Sequence, residues 1–147
     1  MIVVTGATGN VGTPLVQALV EAGEEVTAVS RREVEAPPGV RSVRADLAEP
    51  ASLERVFARA EAVFLLTAPE FLAGGDLGPV VDLAQASGVA RLVLLSSQGV
   101  GTQRHPPAME DAVTRSDLEW TVLRPGNFAS NALRWAGDVR SRRTVAA

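Results

Sequence analysis

The chain contains no cysteine, no lysine, no tyrosine and only one histidine in 147 residues. Without cysteine there are no disulfides, no thiolate metal sites and no cysteine nucleophile. With His105 as the sole histidine, a histidine-built metal site is not expected. All 14 basic residues are arginine, each a planar, permanently charged guanidinium. No apolar run approaches the length of a membrane span. A net charge of −3 leaves no basic footprint for nucleic acid. The first motif begins at residue 2, so no targeting segment is expected ahead of it, and the cytoplasm is the expected compartment. A 46% hydrophobic fraction with 21% charge is that of one globular domain, residues 1–147, with one core.

What the chain does have is a pattern. Ile2-Val3-Val4-Thr5 is a β-branched run that breaks into Gly6-Ala7-Thr8-Gly9-Asn10-Val11-Gly12, and a helical pattern follows. Strand, glycine turn and helix N-terminus together make a seat for a dinucleotide pyrophosphate. The glycines admit the backbone to the phosphates, and the helix end offers unpaired N–H groups and partial positive charge.

Short apolar strands then alternate with amphipathic helices. Strands are predicted at residues 2–5, Val26–Ser30, Val40–Arg44, Ala62–Leu66, Arg91–Leu95 and Trp120–Leu123. Helices are predicted at Thr13–Ala22, Pro50–Ala60, Pro79–Ser87 and Pro107–Ser116, with a last one at Ala129–Trp135. Leu53, Val56, Phe57 and Ala60 recur at helical spacing. Glu33–Gly39 and the segment around Pro69 and Gly74-Gly75 read as loops. The arginine-bearing tail beyond Arg134 reads as a solvated end. Near-continuous apolar strands alternating with helices imply an α/β fold, a doubly wound, Rossmann-like parallel sheet in the order 3-2-1-4-5-6, stopping after about six strands.

The end of the second strand bears on the choice of cofactor. An NAD site wants an acidic residue there for the ribose 2′-hydroxyl. Here Ser30 is followed by Arg31 and Arg32, which suit a 2′-phosphate through several N–H donors. NADP(H) is therefore expected over NAD(H). The competing reading is a pair of surface arginines, with Glu33 close by.

Val-Thr-Gly-Ala-Thr-Gly-Asn-Val-Gly, Ser-Arg-Arg, Arg-Ala-Asp-Leu, Leu-Leu-Thr-Ala-Pro, Leu-Leu-Ser-Ser and Thr-Val-Leu-Arg-Pro-Gly-Asn-Phe occur in that order. The series resembles the NmrA-like group of atypical short-chain dehydrogenases/reductases, which holds NADPH-dependent quinone reductases and non-catalytic redox-sensing regulators. The resemblance implies that Gly6, Thr8, Gly9, Asn10, Val11 and Gly12 hold the pyrophosphate and that Arg31 and Arg32 face the 2′-phosphate. It implies that Asp46 and Leu47 flank the adenine, and that Thr67, Ala68 and Pro69 line the ribose region. It also implies that Ser96 and Ser97 come near the nicotinamide and that Pro125, Gly126, Asn127 and Phe128 close over it. The plainer alternatives are a helix cap at Asp46 and turn formers at Ser96 and Ser97.

The implied activity is NADPH-dependent reduction of a quinone-like or small carbonyl substrate. The alternative is an NADP(H)-sensing regulatory or interaction protein. Two departures bear on that choice. The Tyr-x-x-x-Lys pair that many short-chain reductases use for proton donation is impossible here, and His105 and Met109 stand at the equivalent spacing. His105 is then the candidate proton donor. In addition, the resemblance leads one to expect that the family's substrate-binding part is missing beyond Asn127-Phe128. That predicts an exposed apolar surface near Phe128, Leu133 and Trp135, covered in a homodimer.

Overall fold

A computed structural model describes residues 1–33 and 35–145; Val34, within the predicted Glu33–Gly39 loop, lies outside the described residues, as do Ala146 and Ala147. Six strands form one parallel sheet: β1 (Ile2–Val4), β2 (Val26–Ser30), β3 (Arg41–Arg44), β4 (Ala62–Leu65), β5 (Arg91–Leu95) and β6 (Glu119–Leu123). Their order is β3-β2-β1-β4-β5-β6, the doubly wound order the alternation predicts. In register, Val4 lies between Ala28 on β2 and Phe64 on β4. The winding reverses at β1 and β4, so the carboxyl end of β1 opens onto the crevice where such sheets take ligands.

Strand parity divides the core. Ile2, Val4, Val26, Ala28 and Phe64 face helix α1 (Gly12–Glu21) and meet Leu15, Val16 and Leu19. Val3, Val29, Val63, Leu65, Leu92 and Leu94 face the other way, onto Leu53, Val56, Phe57, Val80, Ala84 and Val113. This second layer is the larger one. Burying each Leu or Phe in it is worth about 1.5–3 kcal/mol. It is covered by α2 (Glu54–Phe57), α4 (Gly78–Ala86) and α6 (Ala108–Thr114). The α1 side thins out toward β6, where Thr121 and Leu123 are exposed.

Several boundaries differ from the sequence pattern, each for a local reason. Pro50–Ala60 is not one helix. A 3-10 turn (Pro50–Leu53) precedes α2, and the Ser52 hydroxyl donates to the Glu49 carbonyl at 2.6 Å, drawing the first turn tight. The segment around Pro69 contains one helical turn, α3 (Pro69–Leu72), begun by the proline at its first position. Another turn, α5 (Gln98–Gly101), follows β5. Ala129–Trp135 is a 3-10 helix rather than an α-helix. The tail is corrected in part: it is helical, α7 (Ala136–Arg142), yet none of its residues is buried. Leu133, Trp135 and Phe128 are 73%, 43% and 39% exposed, the apolar surface expected there.

Candidate functional site

β1 ends at the Thr5 hydroxyl, which accepts the Leu66 amide at 2.8 Å and locks the end of β1 to the end of β4. The chain then turns at Gly6 with φ +60°, a left-handed conformation in which a Cβ would also lie 2.9 Å from Leu66 Cβ. The Ala7 amide donates to the Val29 carbonyl at 3.2 Å, pinning the loop to β2. At Gly12, the first residue of α1, a Cβ would come within 2.7 Å of Ala7 Cα and nearer still to the Gly6 carbonyl oxygen. Only glycine lets the helix start so close to the loop.

Among the described residues, the amides of Thr8, Asn10, Val11 and Gly12 have no backbone acceptor, and no side chain caps α1. These four free donors, from the glycine loop to the first residue of a 10-residue helix, leave partial positive charge at the crevice. The donor set and the close backbone approach fit a dinucleotide pyrophosphate.

The other predicted positions ring the same carboxyl edge. Arg31 and Arg32 follow β2 directly, both exposed. Arg31 Nη1 reaches over the end of β1 to Glu70 Oε2, 3.4 Å away, in the first turn of α3. Ser30 gives its hydroxyl proton to the Arg32 carbonyl. Asp46 is half-buried, and its Oδ1 accepts the Ala48 amide at 3.0 Å, so it shapes the turn after β3. The Leu47 side chain belongs to the core and offers a ligand only its backbone. Thr67 and Ala68 are half-buried on the rise from β4 to α3.

The two serines after β5 do different work. Ser96 donates its hydroxyl to Glu110 Oε1. Ser97 Oγ lies 2.9 Å from His105 Nδ1. The His105 ring lies over Gly99, where a Cβ would sit 2.6 Å from His105 Cε1. His105 is exposed in the loop between α5 and α6, not on a helix, while Met109 packs against the core. The two positions therefore do not form a helical pair. The loop after β6 is tied to the one after β5: the Gln98 amide donates to the Pro125 carbonyl at 2.9 Å. Asn127 and Phe128 are exposed beyond it, while Pro125 is half-buried. An open groove of ≈ 630 Å³ runs beside this end, lined by Arg104, His105, Pro107, Glu110 and Arg124.

Residues 6–143 match a family model described as NAD(P)H-binding. The chain belongs to this family. It is 36% identical over 161 residues to the (4-alkanoyl-5-oxo-2,5-dihydrofuran-3-yl)methyl phosphate reductase of Streptomyces griseus, covering 100% of this chain and 55% of that one. It is 29% identical over 157 residues to the NAD(P)H azoreductase of Xenophilus azovorans, covering 97% of this chain and 53% of the relative. The chain thus spans about half the length of these curated relatives. The NADPH-dependent quinone oxidoreductase of Escherichia coli, solved with NADPH, superposes with a TM-score of 0.76 at 24% identity, over 95% of this chain and 53% of that one. That likeness is one of fold.

Three residues along this carboxyl edge escape the sequence reading. Glu70 looks like any exposed acid until the fold sets it against Arg31. Glu110 is 5% exposed and takes the Arg124 guanidinium in a two-pronged pair, with Nε 3.0 Å from Oε1 and Nη2 on Oε2. The Arg124 hydrogen bonds hold the Glu110 carboxyl below the usual carboxylate range, against the upward push of burial. Only the position of Arg124 within Leu-Arg-Pro-Gly-Asn-Phe could have signalled it.

Proposed function

We propose that the chain forms the cofactor-binding part of an NADPH-dependent oxidoreductase of the NmrA-like type, reducing a quinone-like or small carbonyl substrate. One observation carries this reading: a phosphate seat at Gly6–Gly12, a guanidinium at one end of the crevice and a Ser97–His105 pair at the other lie along a single sheet edge. The names of the Streptomyces and Xenophilus relatives, both reductases, support the reaction type, and the exposed Arg31-Arg32 pair supports the 2′-phosphate.

Bound NADPH supplies a hydride to the acceptor. The chain's own part is to bind, to orient and to manage the accompanying proton. The seat anchors the pyrophosphate through the four free amides. Arg31 and Arg32 meet the 2′-phosphate, with Asp46 and the Leu47 backbone beside the adenine and Thr67, Ala68 and Pro69 along the ribose. Pro125, Gly126 and Asn127 border the nicotinamide side. In place of the absent tyrosine, the Ser97 hydroxyl gives a proton to the oxygen left negative by the hydride. His105 Nδ1 returns a proton to Ser97 Oγ, and solvent reloads the exposed imidazole.

NADPH consumption over a panel of quinones, run beside a binding titration, tests this. Turnover is expected, and His105→Ala and Ser97→Ala are each expected to lower kcat about tenfold or more with NADPH affinity retained. Unchanged turnover in His105→Ala removes His105 from the reaction. Binding with no turnover on any acceptor favours the NADP(H)-sensing regulator instead.

The exposed Phe128, Leu133 and Trp135 support a homodimer, since such apolar surface is stabilised by being covered. Light scattering at micromolar concentration should give twice the chain mass; a monomer at that concentration counts against it.

A further inference from the structure

We propose that Glu70 sets how strongly the site distinguishes NADPH from NADH, by opposing the 2′-phosphate that Arg31 attracts. This rests on the reading of Arg31 as the 2′-phosphate partner. The two residues come from strands on either side of β1. Arg31 follows β2, and Glu70 lies in the first turn of α3 just after β4. Adjacent strands lie about 4.8 Å apart, so the arginine must extend across β1 to bring Nη1 to 3.4 Å from Glu70 Oε2. The pair therefore crosses the mouth of the crevice beside the glycine seat.

Both side chains are solvated, 54% and 70% exposed, so the pair is weak and opens readily. A 2′-phosphate that takes the guanidinium comes to rest beside the Glu70 carboxylate. Its charge of about −1.5 to −2 is then repelled by a negative neighbour. A 2′-hydroxyl meets no such penalty, and a carboxylate is a good acceptor for it. An NAD site places its acid near the end of the second strand. Here the acid stands across β1, on the fourth strand's loop. Arg31 and Glu70 thus pull cofactor choice in opposite directions.

The experiment measures dissociation constants for NADPH and NADH, by fluorescence or calorimetry, on the unmutated protein, Glu70→Gln and Arg31→Ala. Glu70→Gln should bind NADPH about three- to tenfold tighter, with NADH changed by less than about twofold and the gain shrinking as salt rises. Arg31→Ala should weaken NADPH alone. If Arg31→Ala behaves so while Glu70→Gln leaves the NADPH-to-NADH ratio unmoved, the role of Glu70 is overturned and the reading of Arg31 stands. If Arg31→Ala leaves NADPH affinity unmoved, the reading of Arg31 itself fails. Equal weakening of both cofactors in Glu70→Gln shows a merely structural residue and also overturns the proposal.

Discussion

Gly12→Val is expected to abolish measurable dinucleotide binding at cofactor concentrations that saturate the unmutated protein, and to lower Tm by several degrees. The added Cβ meets Ala7 Cα at 2.7 Å and lies closer still to the Gly6 carbonyl oxygen. Both neighbours are backbone, so no side chain can rotate away. Relief requires α1 to lift off the loop, yet α1 is held on the sheet by Leu15, Val16 and Leu19 against Val4 and Val26. Overpacking of this kind costs about 1–3 kcal/mol, which for a domain of this size is about 2–4 °C of Tm per kcal/mol. The binding loss is larger, because lifting α1 withdraws the amides of Asn10, Val11 and Gly12 from the seat. Gly9→Ala meets only the Gly6 carbonyl, at 3.3 Å, and should be mild in the thermal melt. Gly74→Ala meets nothing within 4 Å and should be silent in both assays. Thermal melts and a cofactor fluorescence titration on the three variants check the ranking; a Gly12→Val protein that binds normally contradicts the assignment of the seat.

The strand, glycine turn and helix of the first motif were legible because their signal is local. Spacing, a preceding β-branched run and a following helix all lie within a dozen or so residues. The same holds for the burial of Leu53, Val56, Phe57 and Ala60, which their spacing selects even though a 3-10 turn and the single turn of α2, not one helix, carry that segment. What could not be read is whatever depends on one element meeting another. Glu110 lies in the Pro107–Ser116 pattern, where an acid next to Asp111 reads as solvent-facing. It is buried because Arg124, just beyond β6, and Ser96, just beyond β5, arrive on the same spot once those strands pair. Glu70 lies in a helix of a single turn, too short to leave a period. The Ser97–His105 contact depends on the irregular loop after α5, in which Gln103 adopts φ +60°, and no sequence period encodes such a turn.

The Glu110–Arg124 pair leads to the second large effect, a reversal in how stability depends on pH. In the unmutated protein the folded-state pKa of Glu110 lies below its unfolded value. Its stabilisation is therefore complete above the ordinary carboxylate pKa and is lost as pH falls through the lowered folded value. Arg124→Met removes the guanidinium and leaves Glu110 nearly buried with Ser96 as its remaining partner. Burial then dominates and pushes the carboxyl upward. The folded-state pKa now exceeds the unfolded one, so the variant is penalised near neutrality and recovers as pH falls through that raised value. At pH 7 its Tm should drop by roughly 5 °C or more, because a nearly buried charge has lost its partner. Near pH 4 the gap from the unmutated protein should narrow. Glu110→Gln separates charge from shape: it keeps the side-chain volume, has no carboxyl to titrate, and should show a flatter acid limb than the unmutated chain. Urea unfolding of the three proteins between about pH 4 and 8 measures this directly. A gap between Arg124→Met and the unmutated protein that stays constant across that range would mean that Glu110 does not titrate against Arg124. The pair would then join α6 to the end of β6 by geometry alone.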